Sequence, residues 1–145
     1  MGNYALDFYR QMLVSLRRGN YRGIISNAKP IFFLSLIEFI PYAKKNLFVV
    51  EDKKLNTIYK WYMKMYGAIN TTPISYPYFH LQTEPFYQVI WKDENKIIRA
   101  AESPSVKQIK EYIIGTKLDD ELWELLQDPG NREYLRNCII KHYLS

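Results

Sequence analysis

Residues 31–40, IFFLSLIEFI, are apolar at every position except Ser35 and Glu38. A helix that is hydrophobic on all sides has no face for water, so the rest of the chain must enclose it. The run falls well short of the ~18 residues of a membrane span and carries a carboxylate, so a central buried helix is the remaining solution. Ser26 and Asn27 stand ahead of it as cap candidates, and Pro30 suits a first helical turn. Lys29 is thereby held near the N-terminal end of a rigid element. A chain of 145 residues can bury such a helix within one domain, read as 1–145.

The remaining segments supply the wrapping. Residues 4–18 place Phe8, Met12 and Leu16 on one stripe with Tyr9 and Leu13 beside it, and end at Gly19 in an arginine-rich turn. Pro41 marks the end of the central helix, and NLFVV reads as a short strand. Glu51–Asp52 open a third helix, in which Leu55, Ile58, Tyr59, Tyr62 and Tyr66 share a face while Lys53, Lys60 and Lys64 stay wet. Strands are expected near Tyr78–Leu81, Phe86–Trp91 and Lys96–Ala100, separated by turns at Thr83–Pro85 and Asp93–Asn95. A helix from Ser103–Pro104 through Ile114 ends at Gly115. Two more follow, capped by Asp119 and by Asp128–Pro129. The expected fold is α+β: a helix-rich single domain with a small antiparallel sheet, compatible with a winged-helix-like arrangement.

Charge is distributed unevenly. Residues 1–66 carry eleven Lys/Arg against four Asp/Glu, whereas residues 67–145 carry nine against eleven. Clusters at Arg17–Arg18–Arg22, Lys44–Lys45 and Lys53–Lys54 create a one-sided positive field that suits an anionic polymer. A solvated surface would carry the same charges. The single Cys138 leaves no internal disulfide, and the N-terminus lacks a signal-peptide pattern, so a cytoplasmic protein is expected.

Catalytic patterns are missing. Two histidines and one cysteine make no recognisable zinc motif, and there is no P-loop, GxGxxG or GxSxG. The acids of LDDELWE are explained by a capped helix start. The chain therefore reads as a non-enzymatic binder without a cofactor. Aromatic residues are abundant, with thirteen Tyr and three Trp, a type enriched at binding surfaces. They crowd into ISYPYFHLQTEPFYQVIW, residues 74–91. There Pro77 restrains Tyr76, and strand alternation would put Tyr78 and His80 on one face and Phe79 and Leu81 on the core face.

Three segments, AKPIFFLSLIEFI, YPYFHLQTEPFYQVI and LDDELWELLQDPGNREYLRNCIIKHYL, resemble in order and spacing the sulfur-binding domain of type IV HNH restriction endonucleases. The resemblance covers nearly the whole chain and implies recognition of phosphorothioate-modified duplex DNA in a restriction or defence system. It implies that Tyr76 and Pro77 wall an apolar pocket, that His80 borders it, and that Lys29, shaped by Pro30, supplies charge beside the phosphate. Arg17, Arg18, Arg22, Lys44 and Lys45 would hold the DNA backbone. The chain departs from the family pattern at Ala28, where histidine is frequent, and at TEPFY, where an Asp-Gly-Phe-Trp-like turn is usual. No HNH motif follows the last helix, so the expectation is that a nuclease has been separated from this piece, or that the chain works alone or with a separate nuclease partner; a homodimer is the other partner considered. Two other classes fit the residues: a protein-interaction module with an aromatic groove, and a generic nucleic-acid binder using stacked rings.

Overall fold

The computed structural model describes residues 2–21, 23–67 and 71–145. Its axis is helix α2, Ala28–Phe39, in which every residue except Glu38 is buried. Ser35 survives there because its hydroxyl donates to the Ile31 carbonyl at 2.8 Å, satisfying a polar group that burial would otherwise penalise. Phe32 lies at the centre, with its ring 6.1–6.3 Å from those of Tyr59, Tyr78 and Tyr87 in edge-to-face geometry.

Helix α1, Gly2–Leu13, packs against the two C-terminal helices and is shorter than expected. Its buried stripe is Tyr9, Leu13 and, beyond the helix, Leu16, whereas Phe8 is 56% exposed. Its end is set by Tyr143, whose hydroxyl donates to the Leu13 carbonyl at 2.6 Å and accepts the Leu16 N–H at 2.9 Å. The chain then forms a hairpin, β1 Asn20–Tyr21 and β2 Ile24–Ile25, whose turn uses Gly23 at φ 83°. That hairpin was not expected.

Helix α3, Lys53–Tyr66, is capped by Asp52, whose carboxylate accepts the Leu55 N–H at 3.0 Å. It buries Leu55, Tyr59, Tyr62 and Met63 against α2. The stretch expected as a strand near Tyr78–Leu81 is instead helix α4, Ser75–His80, followed by a 3-10 turn at Leu81–Thr83. Its buried residues are Pro77, Tyr78 and Phe79, and with Ile74 before it and Leu81 after it the positions 74, 77, 78 and 81 form a helical spacing hidden in sequence by the neighbouring rings. Tyr78 anchors the helix by donating to the Phe48 carbonyl at 2.7 Å.

Strand β3, Tyr87–Trp91, lies within the expected segment, but its antiparallel partner is not Lys96–Ala100. The partner is β4, Ile113–Leu118, which follows helix α5, Val106–Tyr112, and carries a register shift opposite Ile90–Trp91. The two strands are separated by α5 rather than joined by a tight turn, unlike the β-ribbon of a winged helix. Gly115, expected to end a helix, sits inside β4. A Cβ there would meet the Phe48 carbonyl oxygen at 2.9 Å and Leu47 at 2.7 Å, so the close approach of residues 47–48 requires glycine. Phe48 adds one bridge to Thr116 on this side, the remnant of the expected NLFVV strand. Helices α6, Asp120–Leu125, and α7, Pro129–Ile139, close the domain, with a π-helical turn at Ile140–Leu144. The architecture is helix-rich α+β.

Ser105 and Gln108 form a reciprocal capping box on α5. Ser105→Ala is expected to cost about 1 kcal/mol, or roughly 2–4 °C in thermal midpoint. An unchanged midpoint would show that α5 is held by packing alone.

Candidate nucleic-acid interface

The start of α2 and the end of α4 meet. Lys29, in the first turn of α2, is buried, and its ammonium donates to Thr83 Oγ1 at 2.8 Å. Its partner in charge is Glu84, 6% exposed, whose Oε2 lies 3.9 Å away and also accepts the Arg17 backbone N–H at 3.0 Å. Burial pulls the Lys29 pKa down and the Arg17 charge adds to this, while Glu84 pushes back up. A cation at a helix N-terminus opposes the helix dipole, and the carboxylate of Glu84 is what offsets it here.

Helical rather than strand geometry decides which rings share a face. Tyr76 and His80 are one turn apart on α4, with ring centroids 4.5 Å apart and planes tilted by 47°. Both are half-buried. Tyr78, expected beside His80, is buried in the core. His80 Nε2 lies 3.2 Å from Ser103 Oγ, and burial together with the Lys29 charge lowers its pKa, which favours the neutral ring. The Tyr76 hydroxyl reaches the base of the β1–β2 hairpin, where a Cβ on Gly19 would come within 3.2 Å of it. The result is a pair of polar-edged rings beside a buried cation.

The other expected residues divide. Arg17 is exposed at the rim. Arg18 is half-buried, donating to Asn27 Oδ1 at 2.9 Å with its guanidinium 4.8 Å from the Tyr143 ring centroid. That engagement makes it a structural link between α2 and the C-terminal turn as well as a surface charge. Pro30 and Pro77 are both buried. Pro77 therefore packs inward and sets the turn that presents Tyr76, rather than standing beside it as an open wall. Lys44 and Lys45 are exposed but lie past the far end of α2, whose rise of roughly 16 Å separates them from Lys29. Arg22 lies outside the described residues. Ser103 and Thr83 were not foreseen. Their only signal is tertiary, since Ser103 is 23 residues from His80 and Thr83 is 54 from Lys29. Among the described residues no group of three or more His, Cys, Asp or Glu side chains could hold a metal, and no helix is long and apolar enough to cross a membrane.

No protein-family model matches the chain, and no curated protein sequence does. Solved structures do. The sulfur-binding domain of SprMcrA complexed with phosphorothioated DNA superposes with a TM-score of 0.72, covering 99% of this chain and 88% of that one at 13% identity. The sulfur-binding domain of ScoMcrA complexed with phosphorothioated DNA gives 0.68, with 93% and 86% covered at 13% identity. The type IV phosphorothioation-dependent restriction endonuclease ScoMcrA gives 0.67 at 14% identity, with 93% of this chain but only 29% of that enzyme covered. With seven α-helices among the described residues, the β3–β4 pair and the central apolar helix, the chain has the fold of these sulfur-binding domains.

Proposed function

We propose that this chain recognises phosphorothioate-modified duplex DNA, as a non-catalytic reading domain of a restriction system that relies on a nuclease for cleavage. The observation that supports it is the meeting of Tyr76, His80 and Lys29 at one point of a fold shared with domains solved on phosphorothioated DNA. Sulfur in place of a non-bridging oxygen is larger, more polarizable and less hydrated. Half-buried ring faces favour it over oxygen, while the nearby cations hold the charge that both phosphates share. Lys29, Arg17 and Arg18 outnumber Glu84, so the rim is net positive despite the carboxylate. By analogy with one buried methylene, the discrimination is worth about 1–3 kcal/mol. Pro30 and Pro77 serve this site from beneath, by fixing the turns that carry Lys29 and Tyr76.

The test is a binding comparison between matched duplexes with and without a single sulfur. The intact chain is expected to prefer the sulfur duplex about tenfold or more. Tyr76→Ala is expected to bring the two affinities together while leaving weak duplex binding. Equal loss on both duplexes would reassign Tyr76 to general packing. Arg17→Ala should weaken both duplexes alike and flatten the salt dependence by about 0.9 in the logarithmic slope. Arg17 is the informative arginine because Arg18 also carries a structural bond.

A further inference from the structure

Helix α3 carries Lys53, Lys54, Lys60 and Lys64 and not one acidic residue. At 3.6 residues per turn, Lys53, Thr57, Lys60 and Lys64 fall within a sector of about 60°, opposite the buried Leu55, Tyr59 and Tyr62. All four are exposed. Lys54 lies off this stripe, 4.5 Å above the Tyr42 ring. Among the described residues none of Lys53, Lys60 and Lys64 forms an ion pair, and nearby Glu51 is already taken by Lys110 at 3.0 Å.

The arrangement works against the helix that bears it. Lys53 and Lys54 oppose the dipole at the N-terminus, and Lys60 repels Lys64 one turn on. An external anion relieves both. Grooves run along the two sides of Lys60. One, about 360 Å³, lies between Lys60, Lys64 and Thr71–Ile74; the other, about 460 Å³, lies between Lys53, Lys60 and Val106. The wall formed by residues 71–74 leads along the chain into α4, with Ile74 two residues before Tyr76.

We infer that α3 is a second DNA-contacting element, whose Lys53, Lys60 and Lys64 hold the sugar–phosphate backbone of the duplex flanking the nucleotide read at Tyr76. This inference rests on the DNA-binding reading but not on sulfur selectivity. The stripe spans roughly 16 Å of helix, about five nucleotides of one strand at ~3.4 Å each. Lysine, a flexible point charge, suits contacts that add affinity without reading bases.

The decisive variant is Lys53→Gln, Lys60→Gln and Lys64→Gln together, in the full chain. Glutamine keeps helix propensity, and circular dichroism checks the fold. Titration with sulfur-containing and plain duplexes across a salt series should show the logarithmic slope reduced by about 2–3 and affinity at 100 mM salt lowered about 10²–10³-fold. The ratio between the two duplexes should not change. An unchanged slope overturns the inference, as does transfer of the lysine dependence to anionic vesicles or RNA with duplex binding intact. A chain that binds plain duplex through α3 but shows no preference for sulfur would sink the sulfur reading and leave this inference standing.

Discussion

Phe32→Ala is expected to remove about 3–5 kcal/mol of stability, the range for truncating a fully buried aromatic residue. The ring is 0% exposed, sits in the N-terminal half of α2, and touches Tyr59 from α3, Tyr78 from α4 and Tyr87 from β3. Removing it opens a void where three elements converge, and close packing leaves those rings little room to relax. At roughly 2–4 °C per kcal/mol for a chain of this size, the thermal midpoint should fall by about 6–20 °C. Phe32→Leu should lose much less, because most of the volume is retained. A loss below about 1 kcal/mol for alanine would mean that α2 is not the shared core of these elements. The total stability of such a domain is only about 5–15 kcal/mol, so the loss of this one ring removes a large share of it.

The second large effect concerns Lys29. Lys29→Met leaves the Glu84 carboxylate buried with the Arg17 N–H but without a counter-charge, and breaking one side of a buried pair costs about 3–5 kcal/mol. Glu84→Gln alone strands the ammonium in the same way, although Thr83 still accepts from it. The double variant Lys29→Met with Glu84→Gln should recover most of the stability, since neither desolvated charge remains. DNA affinity should not recover with it, because the cation proposed beside the phosphate is still missing. Urea midpoints and duplex titrations on the four proteins of this cycle separate the two roles. If the double variant bound modified duplex as the intact chain does, Lys29 would be a purely structural residue.

Much of the interior was legible in the chain itself. A run as apolar as residues 31–40 has only one place to go, and α2 is the buried axis of the domain. The third helix, its wet lysines and its tyrosine face followed from spacing alone, as did the caps Asp52 and Asp128. The uneven charge singled out Arg17, whereas Lys29 stood out by its place at the start of α2 and by the family resemblance. The aromatic stretch was the hard case. Its rings favour a strand by local preference, yet Tyr78 donates to the Phe48 carbonyl, Tyr87 donates to the Tyr78 carbonyl at 2.6 Å, and the segment coils into α4.

The β-sheet was misread for a related reason. Ile113 and Ile114 continue a helical pattern from α5, and only the approach of Phe48 and β3 turns them into a strand. Lys96–Ala100 has equal local claim to pair with β3 but no partner position in the fold.

What the order of residues determined by itself was therefore burial and periodicity: which segment must be enclosed, which helix faces turn inward, and where charge accumulates. What only the tertiary structure decided was company. Tyr76 meets His80 because α4 is helical, Glu84 meets Lys29 across 55 positions, and Tyr143 fixes the end of α1 from 130 positions away. Local preference acts within a few residues, whereas these pairings come from packing between segments distant along the chain, whose hydrogen bonds and charges count only once water has been excluded.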